Sequence, residues 1–179
     1  MADAPDVVAP AVDQSGNTVI WWVPATPGIA DLAAVKAATE LGAATTFRIT
    51  HDFTPDGFPL DSTQEKSTDD RLALVDTLES LGKIVTTFGD GITYVDTLAV
   101  AGRATVVLKP SGGASSISGF FVVRPNVPNS TVAAAAQKGT VYPVTLGKQR
   151  RGPITGSGKF TYKQQVVLTG PPVETTFAA

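Results

Sequence analysis

The stretch that most constrains the fold is SGFFVVRPNVPNSTVAAAAQKGTVYPVTLG, residues 118–147. Phe120, Phe121, Val122 and Val123 are a short run of aromatic and β-branched side chains, which suit a buried pleated surface better than a helix. Arg124 ends the run, and Pro125 and Pro128 stop it because proline has no N–H to give a ladder. An Ala-rich bridge follows, and the chain resumes as TVYPVTL. In a strand, Tyr142, Val144 and Leu146 share one face, with Val141, Pro143 and Thr145 on the other. Pro143 inside that run predicts a sheet edge or a bulge. The rest of the chain is expected to pack as strands on this pair.

The neighbouring segments support that reading. NTVIWWVP, residues 17–24, is apolar on both faces, so it predicts a strand covered on both sides, with Trp21 and Trp22 in core packing or at an interface. ATTFRIT, 44–50, alternates Phe47 and Ile49 against Arg48 as a half-buried strand. DLAAVKAATELG predicts a short helix capped by Asp31 and stopped by Gly42. KIVTTF and ITYVDTL around Gly89-Asp90-Gly91 read as a hairpin. RATVVLKP reads as a strand by propensity, although its Ala-rich approach also allows a helix. Residues 69–82 are ambiguous: Leu72, Val75, Leu78 and Leu81 recur by threes between Asp69 and Gly82, which local rules assign to helix. KFTYKQQVVLTG reads as the longest strand, with Phe160, Tyr162, Gln164, Val166 and Leu168 on one face. The tail beyond it can still dock through Phe177.

Seventeen glycines and thirteen prolines favour many turns and a β-rich class. The expected fold is therefore mainly β, sandwich- or barrel-like, with one or two short helices. Residues 1–16 read as an N-terminal arm without its own core, and 17–179 as a single domain with a long loop near 51–68. The arm has neither a basic start nor an apolar signal core, so a standard secretion signal is not expected.

The net charge of −2 conceals a division. Residues 1–100 hold fifteen acids and five bases; residues 101–179 hold nine bases and one acid, Glu174. Either the halves interleave in one fold and neutralise each other, or the subunit has an acidic and a basic face suited to head-to-tail self-association.

Signatures of catalysis are weak. Without cysteine there is no disulfide, thiolate metal site or cysteine nucleophile. His51 is the single histidine, and its neighbours give no ligand spacing. GPITGSGKF fails as a phosphate-binding loop: Pro153 stands where glycine is required and Phe160 where Ser or Thr is required, so a Gly-Ser-Gly turn explains it better. No enzyme activity, cofactor or metal is expected.

The order of TTFRITHDFTPDGFPLD, STDDRLALVDTLESLGKIVTTFGDGITYVD, GFFVVRPN, GTVYPVTLGKQRRGP and KFTYKQQVVLTGPP resembles the major tail tube proteins of long-tailed, siphovirus-like phages, particularly those of actinobacterial hosts. The resemblance covers residues 40–172 and is weakest over 101–119. It implies a structural virion protein, made in the host cytoplasm. Hexameric rings of such a protein stack on a tape-measure protein, with tail-tip proteins at the end, into a hollow tube through which genome DNA passes without sequence-specific binding. No membrane partner is implied. The rivals are a monomeric β-sandwich binding module, adhesive or carbohydrate-binding, with Trp21–Trp22 as its platform, and another virion part such as a tail terminator.

Within that reading, Phe53, Phe58 and Leu60 are candidates for contact between subunits. They flank a Pro-Asp-Gly turn in a loop expected to order only against a neighbour. Lys148, Arg150 and Arg151, the one basic cluster, are candidates for the same role. Asp90 and Asp96 are candidates for the lumen, where acids would repel DNA phosphates.

Overall fold

The computed structural model describes residues 13–69, 78–154 and 158–179. Residues 1–12 of the expected arm and the Gly-Ser-Gly turn, which begins within 155–157, lie outside the described residues.

A central sheet is built on β1 (Val19–Pro24), β2 (Phe47–Arg48), β6 (Ile117–Arg124), β7 (Lys138–Leu146), β10 (Val166–Leu168) and β11 (Val173–Thr176). Its order is β10-β7-β6-β1-β2, with β11 also on β7, and all pairs are antiparallel. The apolar runs at 19–23 and 120–123 therefore sit side by side: Trp22 faces Phe121 and Trp21 faces Val122 in register. Both faces of β1 are covered, as its composition requires. Ile20 and Trp22 enter one core with Phe121, Tyr142, Val144 and Leu146. Val19, Trp21 and Val23 enter a second with Val35, Val122 and Phe177. Both tryptophans are buried.

Pro143 lies in a central strand, yet its position follows the rule for proline. Its carbonyl accepts the Thr169 N–H at 2.9 Å, so its missing N–H would point to that same side. That side lies between the end of β10 at Leu168 and the start of β11 at Val173, where the pairing on β7 is interrupted.

The first core is closed by a three-stranded sheet of β5 (Ile92–Val95), β9 (Thr161–Gln164) and β8 (Arg150–Arg151), in the order β5-β9-β8. The long strand expected over 159–170 is two strands in two sheets. It breaks at Gln165, with β9 in the small sheet and β10 in the central one, which is how a strand turns the corner of a sandwich. Four of the five residues expected on one face still turn inward across the break: Tyr162, Val166 and Leu168 pack on the core and Gln164 is buried, whereas Phe160, ahead of β9, is exposed. The Gln164 amide donates to the Leu108 carbonyl at 2.9 Å and the Gly147 carbonyl at 2.6 Å, and its oxygen accepts the Tyr94 hydroxyl at 3.0 Å. Burial pushes the Tyr94 phenol well above its ordinary value. The sheets are open, so the architecture is a sandwich and not a closed barrel.

Three local expectations give way to long-range partners. The helix expected from Asp31 is reduced to a single π-helical turn, Ala37–Leu41, because the C-terminal tail takes the backbone groups before it. Val35 accepts the Ala178 N–H at 2.9 Å and Ala37 donates to the Ala178 carbonyl at 3.0 Å. Residues 103–110, where strand propensity competed with an Ala-rich approach that allowed a helix, hold a one-turn helix, α1 (Ala104–Val107). Asp52, buried and distant in sequence, accepts the Ala104 N–H at 2.7 Å and the Arg103 guanidinium at 3.4 Å, and this cap overrides β propensity. Helical spacing then places Ala104 and Leu108 together in the core.

The hairpin expected around Gly89–Gly91 does not form. β3 (Asp61–Asp69) pairs instead with β4 (Leu78–Thr87), and β5 pairs with β9. The 89–91 turn carries the chain from one sheet to the next: Phe88 is buried, and a side chain at Gly91 would collide with the Gln164 carbonyl. In the ambiguous span, Asp69 and residues 78–82 are strand, and 70–77 lie outside the described residues. The long loop expected over 51–68 is shorter. A 3-10 turn, Thr50–Asp52, leads to a loop that ends where β3 begins.

The charged halves interleave. The central sheet joins β1 and β2 to strands of the basic half, and the small sheet joins β5 to β8 and β9. At its heart, Arg124 is fully buried. It donates to the carbonyls of Pro128, Thr131 and Val132 and to Gln137 Oε1 at 2.7 Å, and it stacks over Trp21 at 5.3 Å. Burial, and secondarily Arg48, lowers its pKa.

Candidate assembly surface

The part of the molecule without a core is the β3–β4 ribbon. Every side chain over 61–67 and 79–84 is exposed, on both faces. Its composition explains this: Ser62, Thr63, Gln64, Ser67 and Ser80 favour extended backbone or turns but offer little to bury. Among the described residues its exposed large apolar side chains are Leu81, at 72% exposure, and Ile84, at 63%. Nine residues of strand span about 30 Å. Among the described residues, one ion pair ties the strands together, Lys66 Nζ to Glu79 Oε2 at 3.1 Å. At the base, β4 meets the body across a groove of about 790 Å³ lined by Ile84, Val85, Tyr142, Leu168, Pro171 and Pro172.

The second feature is the edge of the small sheet at β8. Arg150 and Arg151 are exposed there, with Lys148 just before them, and Arg150 lies in register with Lys163. Arg151 stacks over the Tyr162 ring at 5.8 Å. Beside this edge Ile154 and Phe160 expose apolar surface at 78% and 59%. Residues 147–163 carry five bases and no acid.

The acids singled out for the lumen flank the opposite edge, β5. Asp90 is 95% exposed and lies 3.7 Å from Lys163 Nζ, a loose solvent-exposed pair. Asp96, at the other end of β5, is half-buried and accepts the Leu98 N–H at 3.0 Å. Acidic and basic candidates thus share one sheet on opposite edges, about 10 Å apart by two strand spacings. That placement was not legible from the division of charge along the chain.

Phe53, Phe58 and Leu60 fall elsewhere. All three pack on the first core. Phe58 meets Phe53, Phe88 and Phe121 edge-on, with ring centroids 5.1–5.4 Å apart. The loop is also bonded to β5: Thr93 donates to the Gly57 carbonyl at 2.8 Å, and Phe53 bridges to Tyr94. It is ordered within one subunit, contrary to the expectation that a neighbour orders it, because its aromatic rings complete the core under β5.

His51 is exposed in the 3-10 turn. Among the described residues, no group of three or more His, Asp or Glu is placed to hold a metal ion, and no helix is long and apolar enough to cross a membrane. The buried Trp21 and Trp22 form no exposed platform for a glycan, which removes the feature that motivated the binding-module reading.

A family model described as phage tail tube protein matches residues 7–179. The chain belongs to that family. No curated protein matches it. As a tail tube protein it is a structural component of the phage tail, and it assembles there with other phage proteins.

Proposed function

We propose that this is the major tail tube subunit of a long-tailed, siphovirus-like phage of the actinobacterial-host type, made in the host cytoplasm. Six copies close into a ring, and rings stack head to tail around a tape-measure protein from a tail-tip initiator. The hollow tube then passes genome DNA. The observation that carries this reading is the β3–β4 ribbon, because a two-stranded hairpin without a covering layer is marginal alone and gains its stability from what it joins. Exposed sheet edges at β8 and along the ribbon offer unpaired backbone groups to further copies, the contact that monomeric proteins guard against. The subunit contact is assigned to these edges and to Lys148, Arg150 and Arg151. Phe53, Phe58 and Leu60 are spent inside the subunit.

Asp90 and Asp96, one exposed and one half-buried, are assigned to the channel side, where carboxylates keep phosphates moving. Replacing both with lysine should make assembled tubes retain DNA in a pull-down that leaves unaltered tubes clean; equal retention overturns the assignment. For the function itself, negative-stain microscopy of the purified chain across concentration and ionic strength is the direct test. Hollow tubes of uniform width are expected, with tail-tip proteins added as initiator where spontaneous assembly is slow. Single rings that never stack would favour a tail terminator, and a monomer under every condition would overturn the proposal.

A further inference from the structure

Resting on the tube reading, we propose that β3 of one copy pairs with the β8 edge of a second copy, so that each acidic ribbon extends the basic three-stranded sheet of its neighbour. The charges are complementary. Residues 61–87 carry six acids and three bases, whereas 147–163 carry five bases and no acid. Within the ribbon, Lys66 is engaged by Glu79, while Asp61 and Glu65 make no ion pair among the described residues. The acidic side chains of β3 are therefore the ones a basic edge would meet.

The other sheet edges fit less well. At β2, Arg48 is the only base between Ala43 and Thr50, and it is half-buried with its Nε inside the subunit. The β10–β11 side offers Val166–Leu168 and the acid Glu174. At β8 the exposed Arg150 and Arg151 lie on a strand that, among the described residues, is outermost and paired on one side, with β9.

The polar surface of β3 points to backbone pairing, not side-chain burial, as the mode of contact. Its ladder has two regular parts, Asp61–Gln64 with Ile84–Thr87 and Lys66–Asp69 with Leu78–Leu81, and the register shifts between Gln64 and Lys66. A bulge of this kind ends a regular ladder. The matching segment is thus about four residues long, and β8 with its flanks at 148–152 offers a similar length.

The absence of cysteine makes the test clean, since any disulfide must come from introduced residues. Thr63→Cys and Arg150→Cys variants are mixed under mild oxidation, with Thr63→Cys plus Val132→Cys as the control pair; Val132 is 80% exposed and remote from the proposed contact in sequence and sheet. Heterodisulfide is expected from the first pair and not from the control, and a chain carrying both Thr63→Cys and Arg150→Cys should give a ladder of oligomers. In a second experiment, Arg150→Glu with Arg151→Glu should raise the concentration for half-assembly by about tenfold, the scale of a few lost charge contacts. Adding Asp61→Lys with Glu65→Lys should restore it, circular dichroism confirming that each variant is folded. Tubes without the ladder, or a charge swap that fails to rescue folded variants, overturn this pairing and leave the tube reading standing. A ladder without tubes supports the pairing and counts against the tube. Neither tubes nor heterodisulfide overturns both.

Discussion

Strand β1 and the β3–β4 ribbon have similar extended backbones and opposite surroundings. Five of the six residues of β1 are buried, with side chains alternating into two different cores. Over 61–67 and 79–84 the ribbon buries none. Burial of apolar area is worth roughly 25 cal/mol per Å², so β1 is a principal source of subunit stability while the ribbon rests on its own ladder and a surface ion pair. The comparison separates two tasks. The doubly covered sheet supplies the subunit's own packing, and under the proposed assembly the bare ribbon draws its stability from neighbours. Substitutions in one region should therefore leave the property of the other intact.

The largest expected effect is in the sheet. Trp22 is fully buried against Phe121, ring centroids 5.1 Å apart. Trp22→Ala should cost about 3–5 kcal/mol, read as a drop in the urea midpoint by circular dichroism. A cost below about 1 kcal/mol would mean that the core lies elsewhere. Next is overpacking in the same place. Gly119 has no side chain where a Cβ would come within 2.6 Å of the Trp22 ring and 2.5 Å of the Val23 carbonyl oxygen. Gly119→Ala should cost about 1–3 kcal/mol.

Those two residues also show what was legible. Trp22 and Phe121 belong to runs apolar enough to require cover on the sheet, although the sequence left Trp22 open between core and interface. The ribbon was not legible in the same way. Leu78 and Leu81 recur at helical spacing, and Leu78 and residues 79–82 become strand because they pair with Ser67, Thr68 and their neighbours. Asp52 read as a loop residue, since its role as cap depends on Ala104, fifty-two positions away. The cluster Lys148, Arg150 and Arg151 was legible as charge, but its place on a sheet edge exists only because β9 lies beside it. In each case the deciding partner lies beyond the reach of a helical turn, from nine residues away at Leu78 to fifty-two at Asp52.

A smaller effect is expected at alkaline pH. The Tyr94 hydroxyl is buried on Gln164, and burial holds its pKa above the ordinary value near 10. Burial raises Tyr142 in the same direction. The native state therefore keeps protons that the unfolded chain gives up, so stability is full below pH about 10 and is lost as pH rises through the native pKa. The loss per group approaches about 1.4 kcal/mol per pH unit above 10. Urea melts at increasing pH should show this slope, and Tyr94→Phe should flatten it; an unchanged slope would place the alkaline sensitivity in another group. The described part of the ribbon holds no tyrosine, so its state should not enter.

The smallest effect on the subunit, and the one that tests the comparison most sharply, is expected in the ribbon. Leu81→Ser and Ile84→Ser remove the large apolar side chains exposed on it. In a solvated ribbon neither loses packing, and each should change the urea midpoint by no more than about 0.5 kcal/mol. Assembly should respond differently. If the ribbon is covered in the tube, the same substitutions remove apolar area from a contact repeated in every subunit, and light scattering should show assembly shifted to higher concentration. A loss of subunit stability above about 1 kcal/mol would make the ribbon part of the body and erase the distinction from β1. Unchanged stability with unchanged assembly would leave the ribbon exposed in the tube as well. Its contribution to assembly would then come from the backbone edge and the acids of β3, not from Leu81 and Ile84.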